Sequence, residues 1–444
     1  MKIKLPKNVG YILDKLIKNG YEAYIVGGCV RDSILGLRPK DWDITTSATP
    51  EQVIKVFENY KIIPTGLKHG TVTILIDDIG YEITTYRIDG DYEDCRRPKD
   101  IVFTSDLKED LSRRDFTINA MAYNDKDGLI DYFNGYEDLI NNKVIRTVGD
   151  CNNRFREDAL RILRAIRFSA KLNFKIEEDT FIGMFNNTKN LKNISKERIR
   201  DEFNKILLYD AEKINTINMI RAYDFITFDL LRMSEYNQNN PYHNMSLLNH
   251  SINATKIVDT LELKLTMIFH DVGKLYCRTI DKNGISHYKG HAKISSDLTK
   301  DIMKNLKYSN DMINTVTTLI YLHDYCFSDN PKIIRKQLKK LLNKYDENII
   351  RNLLKVRVAD ISSQEPKYLL QRLIKVFKIN DILNDILENT ECFTLKDLDI
   401  NGYCLINLGY KGKDIGKKLN ELLEAVINEE VKNNKDDLIK YISE

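Results

Sequence analysis

Disulfide and structural zinc chemistry are disfavoured first: the seven cysteines, at positions 29, 95, 151, 277, 326, 392 and 404, are scattered and never form Cys-x-x-Cys. Small buried or neutral thiols in a reducing compartment fit that spacing. Proline is scarce, eight in 444 residues, so long rigid linkers are not expected. No run of about 18 apolar residues occurs, so no membrane span is expected. The opening MKIKLPKNVGYILDKL has neither the apolar core nor the small-residue cleavage site of a secretory signal, and a cytoplasmic location follows as the expectation. Net charge is only +3, so any binding of nucleic acid must come from local clusters of Lys and Arg. Low-complexity tracts and internal repeats are absent.

What remains is the composition of an ordinary globular protein, 42% hydrophobic and 30% charged. At 444 residues it exceeds one core, and roughly three domains are expected. Up to about residue 130, strand-like and helix-like segments alternate: YEAYIVGG, then VRDSILGL, DWDITT, TPEQVIKVFENY with Thr49 as cap, and a hairpin HGTVTILIDDIGYEITTYRI turning near Asp77, Asp78 and Gly80. From about Leu111 the helical period takes over, and RFREDALRILRAIRFSAKL is its clearest helix. The fold class is therefore α+β: a small mixed α/β head and a long all-helical body. Boundaries are placed near residues 145, 240 and 370.

Three constellations carry chemistry. In GGCVRDSILGLRPKDWDITT, a strand through the DWD segment turns Asp41 and Asp43 to one face and Trp42 and Ile44 to the other. Two carboxylates aimed at one spot suit magnesium, which shares oxygen ligands with substrate phosphates. Gly27 and Gly28 let backbone N–H groups approach a triphosphate, Arg31 is placed to clamp a phosphate, and Glu82 is a candidate third carboxylate. A lone DxD is commonly solvated surface and a lone GG a turn; the ordered combination is far more specific.

The helix from Arg156 carries Asp158, Arg161, Arg164 and Arg167 at intervals of three, with Ile162, Leu163, Ile166 and Phe168 as apolar anchorage. One reading is a solvated ion pair beside a basic stripe. The other is a base reader. Cytosine and adenine both present an amino donor beside a ring-nitrogen acceptor. A carboxylate only accepts and a guanidinium only donates. Asp158 and Arg161 would match C and A and clash with U and G.

These motifs, with DLSRRDFTINAMAY between them, resemble the bacterial class II tRNA nucleotidyltransferases of the polymerase-beta superfamily over roughly residues 20–205. The resemblance implies addition of C, C and A to the tRNA 3′ end from CTP and ATP, without a nucleic-acid template. It implies magnesium on Asp41 and Asp43. It implies nucleotide contacts from Gly28, Arg31, Arg114, Arg164 and Arg167, and base selection by the Glu157-Asp158-x-x-Arg161 motif. The polar segment YRIDGDYEDCRRPKDIVF reads as a mobile surface loop. It looks shortened in relatives that add only CC, and its full length here favours addition of the final A.

The third constellation is His250, His270-Asp271, His291, His323 and Asp360, which uses four of the chain's seven histidines. Imidazole and carboxylate together suit a transition metal or magnesium and can acidify a bound water. Lys274 is placed to contact a phosphate, whereas His243, upstream, is read as structural. The series resembles the HD phosphohydrolase superfamily over about residues 245–365, which implies that His250, His270, Asp271 and Asp360 ligate a divalent metal of unknown identity. His291 and His323 would then hold a second one. On these resemblances residues 1–145 form the transferase head, 146–240 a template and tRNA-binding region, 241–370 the HD domain and 371–444 a tRNA-contacting tail.

In KNISKERIR, Lys192, Lys196, Arg198 and Arg200 are candidates for tRNA phosphates or members of a solvated face. LGYKGKDIGKK is either a helix–helix turn or a phosphate-binding helix start, and RKQLKKLLNKYD reads as a solvent-facing basic helix. The alternatives to full CCA addition are a partial (CC- or A-adding) enzyme or a poly(A) polymerase of the same fold, or an HD nucleotide phosphohydrolase whose transferase head only tethers RNA.

Overall fold

A computed structural model of the chain describes residues 2–90, 92–93, 97–98, 101–239 and 245–443. It divides into two compact units, 1–227 and 228–444. His243 lies outside the described residues, as does Cys95.

The first unit is built on a seven-stranded sheet: β1 (Ala23–Val26), β2 (Ile44–Thr46), β3 (Lys61–Gly66), β4 (Thr71–Ile76), β5 (Ile79–Thr85), β6 (Met121–Asn124) and β7 (Gly128–Asp131), in the order β7-β6-β1-β2-β5-β4-β3. Within this sheet β2 and β5 are the one parallel pair among the described residues, with Ile44 opposite Ile83. β1 and β6 are buried throughout, which puts the core at the middle of the sheet. The helices α1 (Lys7–Lys18) and α2 (Gly28–Ile34) pack on β1, and α3 (Pro50–Val56) on β4 and β5. Thr49 and Gln52 close a capping box on α3, worth about 1 kcal/mol. The β4–β5 turn is made by Asp77 and Asp78, both at positive φ (52° and 59°), as a two-residue hairpin with the sheet's twist requires. The polar segment read as a loop is partly paired: Arg87–Asp89 and Ile101–Phe103 form an antiparallel ladder.

Helices follow. After α4 (Leu107–Ser112) come α5 (Cys151–Glu157), α6 (Leu160–Leu172) and α7 (Lys196–Tyr209), with α6 packed on α7. The single helix expected from Arg156 is in fact two. Asp158 is extended (φ −139°, ψ 102°) and its Oδ1 accepts the Leu160 N–H at 3.0 Å. A short carboxylate that bonds the backbone two residues on competes with the helix ladder and interrupts it here.

The second unit is almost wholly helical: α8 (Leu247–Ile257), α9 (Leu261–Phe269), α11 (Asn310–Leu322) and α12 (Glu347–Ser362), with helices at Pro331–Lys344 and Leu369–Glu388, share one core that includes Leu263, Met267, Leu319, Leu353 and Leu383, and α10 (His291–Asn305) packs on α11. A second cluster, with Leu405, Leu422 and Leu438, closes the tail. Gly409 and Gly412, both at positive φ, turn the chain between helices Gly402–Asn407 and Lys413–Ile427, which is the helix–helix reading of that segment. Pro331–Lys344 is not simply solvent-facing. Lys339 is buried against Glu391 at 2.6 Å, and Arg335 pairs with Asp385 and Glu391.

Candidate active sites

β1 runs into Gly27, whose φ of +80° is the left-handed region that favours glycine. A Cβ there would stand 2.9 Å from Nη1 of Arg114, so the turn is also the place where the guanidinium lies against the backbone. Asp41 and Asp43 stand just before β2 rather than inside it, which corrects the expected strand. The intended alternation holds all the same. Both aspartates are exposed, Trp42 is half-buried and Ile44 is buried, because the Val26 N–H donates to the Asp43 carbonyl at 3.0 Å and extends the pairing one residue. Asp41, Asp43 and Glu82 line one cleft of about 1340 Å³. Although Asp43 is exposed at the surface, the protein packed around its carboxyl displaces water and raises it above its ordinary value; Arg114 opposes this and Asp41 adds to it. Among the described residues Glu82 does not join the two aspartates in a set of three ligand atoms within 4.8 Å. Two carboxylates with room beside them is the donor set that magnesium uses when phosphates complete its shell.

Arg31 is buried, and each of its three guanidinium nitrogens donates a hydrogen bond. Nε and Nη2 donate to Asp32 Oδ1 (2.8 and 2.7 Å), and Nη1 donates to Asn119 Oδ1 at 2.5 Å. Asn119 donates in turn to Asp115 Oδ1 at 3.0 Å, and Asp115 Oδ2 accepts both Nε and Nη2 of Arg164, at 2.9 and 2.5 Å. Burial acts to raise the Asp115 carboxyl, but Arg164 and Asn119 hold it far below the usual carboxylate range. Phe168, read in the sequence as apolar anchorage, is the hub: the guanidinium carbons of Arg31, Arg164 and Arg167 lie 5.0, 5.6 and 4.3 Å from its ring centroid.

Asp158 and Arg161 flank the break between α5 and α6. Arg161 is held by Glu157 (Nη1 to Oε2, 2.5 Å) and by the carbonyls of Arg154 and Arg113 (3.1 and 3.0 Å). Asp158 Oδ2 meets Nη2 of Arg198 at 3.3 Å. Arg167 pairs with Glu202 at 2.8 Å. Lys196 donates to the Phe225 carbonyl at 3.3 Å, and Arg200 pairs with Asp201 at 2.8 Å.

In the second unit all six expected ligands converge. His250 comes from α8, His270 and Asp271 from the end of α9, His291 from the start of α10, His323 from the end of α11 and Asp360 from α12. Each imidazole has Nδ1 against a backbone carbonyl: Ser363 at 3.3 Å, Met267 at 2.8 Å, Tyr288 at 2.8 Å and Ile320 at 2.6 Å, in the order His250, His270, His291, His323. That fixes the tautomer and turns every Nε2 inward. His250 Nε2 is 3.1 Å from Asp360 Oδ1, His270 Nε2 is 3.2 Å from Asp271 Oδ2, and His291 Nε2 is 3.2 Å from Asp271 Oδ1. The His291 and His323 Nε2 atoms are 3.1 Å apart. Two sets could hold a metal ion, His250–His270–Asp360 and His270–Asp271–His323, with ligand atoms within 4.8 Å of one another. Burial acts to lower His270, but Asp271 and Asp360 push it up to about 10, and both carboxylates are held well below their ordinary range. Lys274 meets Asp271 at 2.6 Å and donates to Gln238 Oε1 at 3.0 Å.

Comparison with known proteins gives three partial family matches. Residues 23–146 match the poly(A) polymerase head domain, 173–222 the RNA- and SrmB-binding site of polymerase A, and 290–442 domain 2 of tRNA nucleotidyltransferases. A CCA-adding enzyme of Staphylococcus aureus is 33% identical over 442 residues, covering 97% of this chain and 96% of that one. The chain belongs to the CCA-adding enzyme family. The structure of the Bacillus stearothermophilus enzyme of this family, solved with CTP, superposes with a TM-score of 0.73 at 27% identity, covering 99% of this chain and 98% of that one. A Thermotoga maritima member, solved with tRNA, shares the fold (TM-score 0.62, 21% identity, 100% and 99% covered). Among the described residues no helix is long and apolar enough to cross a membrane. For this family member the sequence reading gave no role to Asp32, Asp115, Asn119 and Glu202, the partners of its arginines, and named Glu157 only as part of its motif. Asp32 is the chain neighbour of Arg31, whereas Asp115, Asn119 and Glu202 meet their arginines only by folding.

Proposed function

We propose that this chain extends tRNA 3′ ends by C, C and A from CTP and ATP, releasing pyrophosphate at each step. Asp41 and Asp43 would hold magnesium, which when bound activates the attacking 3′ hydroxyl and neutralises charge on the leaving pyrophosphate. Gly28, Arg31 and Arg114 take the triphosphate at the Gly27 turn. Arg164 and Arg167 hold the nucleotide from the α6 side. Asp158 accepts the amino proton of C or A and Arg161 donates to the adjacent ring nitrogen; U and G present a carbonyl and a ring N–H there and are refused. Glu157 and the two carbonyls fix the plane of the Arg161 guanidinium, so the reader is set before the base arrives. The observation that carries this reading is the Phe168 ring, on which the arginine of the phosphate side and two of the base side meet. Head, template region, HD domain and tail at 1–145, 146–240, 241–370 and 371–444 remain the division we adopt. The test is incubation with tRNA transcripts ending at the discriminator, at C and at CC. All three should finish at CCA; an input that stops short, or a run of A, selects the partial or poly(A)-adding alternative.

A second activity has its own support. The buried cluster of four imidazoles and two carboxylates has the donor chemistry of an HD phosphohydrolase centre: His250, His270, Asp271 and Asp360 for one metal, with His291 and His323 for another. A divalent metal bound there supplies an acidified water for attack on a phosphate ester. The carbonyl-locked Nδ1 atoms aim the ring nitrogens at such an ion, and Lys274 stands beside the site to take a phosphate. Replacing both Asp41 and Asp43 by Ala should abolish addition and spare hydrolysis of nucleotide phosphoesters. Loss of neither would leave the phosphohydrolase with a tethering head as the better account.

A further inference from the structure

α7 presents Arg198 and Glu202, four residues apart and so on one face, to α6. Each carries the charge opposite to a residue of the proposed nucleotide site: Arg198 meets Asp158 at 3.3 Å and Glu202 meets Arg167 at 2.8 Å. Asp158 lies in the extended break between α5 and α6, where no helix ladder fixes its rotamer. Two contacts do that instead. The Leu160 N–H donates to Oδ1 at 3.0 Å, and Nη2 of Arg198 reaches Oδ2. Nη1 of Arg198 is buried and has no hydrogen-bond partner among the described residues.

We infer that Arg198 is a positioning residue for base selection. It holds the Asp158 carboxylate in one orientation, so that a remaining lone pair of Oδ2 is aimed where the amino group of C or A arrives and where the carbonyl of U or G is repelled. This rests on the reading of Asp158 as the base acceptor. A carboxylate oxygen has two lone pairs, so it accepts from Arg198 and from a base at once. Without Arg198, Asp158 is anchored at one oxygen only. It turns about its side-chain bonds, the repulsion of a carbonyl is relieved by rotation, and the selection between base edges weakens.

The experiment compares kcat/KM for CTP, ATP, UTP and GTP on a tRNA primer in wild type, R198M, R198K, D158A and the double variant. Methionine keeps the packing of the stem. R198M should lose roughly tenfold or more of its preference for CTP over UTP, the worth of one charge-assisted contact. The loss should appear in the KM for the correct nucleotides. R198K, which keeps charge without the fork, should recover part of it. Because Arg198 acts through Asp158, adding R198M to D158A should change selectivity no further. If D158A loses selectivity and R198M keeps it, or if the two effects add, the inference about Arg198 is overturned while the base reader stands. If D158A itself keeps selectivity, the base reader falls and the inference with it. Should R198M not fold, R198Q takes its place with the same expected drop, and wild-type selectivity in folded R198Q is equally fatal.

Discussion

Replacing Asp115 by Asn removes one charge at the point where the head meets α6. In the wild type its Oδ2 accepts two N–H bonds from Arg164, at 2.9 and 2.5 Å. Bonds to a charged partner contribute about 1.5–3 kcal/mol each. The Arg164 side chain is 35% exposed, so water takes over part of what is lost. A net cost of about 2–3 kcal/mol follows, since the Phe116 and Asn119 contacts to Oδ1 survive in the amide. For a unit of this size that lowers the melting temperature by roughly 4–12 °C. The pH dependence has a definite sign. The folded carboxyl is held far below its ordinary 3.8. Its stabilisation is therefore complete above the unfolded value and is lost only as pH falls through the folded one. Calorimetry of wild type and D115N should show a constant gap from pH 8 to about 5, closing only below about 4. A gap that closes between pH 7 and 5, or no gap at neutral pH, would refute the reasoning. The same variant frees Arg164, and KM for CTP and ATP should rise about tenfold.

Three further outcomes are expected. Gly27→Ala places a Cβ 2.9 Å from Nη1 of Arg114 at a φ of +80°, with strain of about 1–2 kcal/mol, and should raise KM for both nucleotides without changing the C-over-U preference. His270→Ala should reduce the zinc or manganese bound per chain, measured by elemental analysis after dialysis, while CCA addition continues; undiminished metal content would count against the six-residue cluster as its site. Ser363→Ala removes the hydroxyl 3.0 Å from His250 Nδ1 and should weaken metal binding by about tenfold, read by competition with a chelating dye.

The alternation of the DWD segment, the His-Asp pair at a helix end and the three-residue spacing of the arginines were all legible as pattern, because each depends on neighbours along the chain. The helix break was not. Asp158 has an unremarkable place in an amphipathic run, and only its bond to the Leu160 N–H makes it leave the helix. Likewise, the buried state of Lys339 depends on Glu391, fifty-two positions away. A lysine-rich stretch reads as solvated until a distant carboxylate is folded against it.

Which residue types occur, and at what intervals, determined the α+β class, the two aspartates of the head and the six candidate ligands of the helical unit. What tertiary structure alone decided was pairing: Arg31 with Asn119, Asp115 with Arg164, Arg198 with Asp158. The physical reason is reach. A helix or strand period constrains residues within a few positions of one another, whereas a buried charge takes whichever opposite charge the packing of separate elements delivers within about 4 Å.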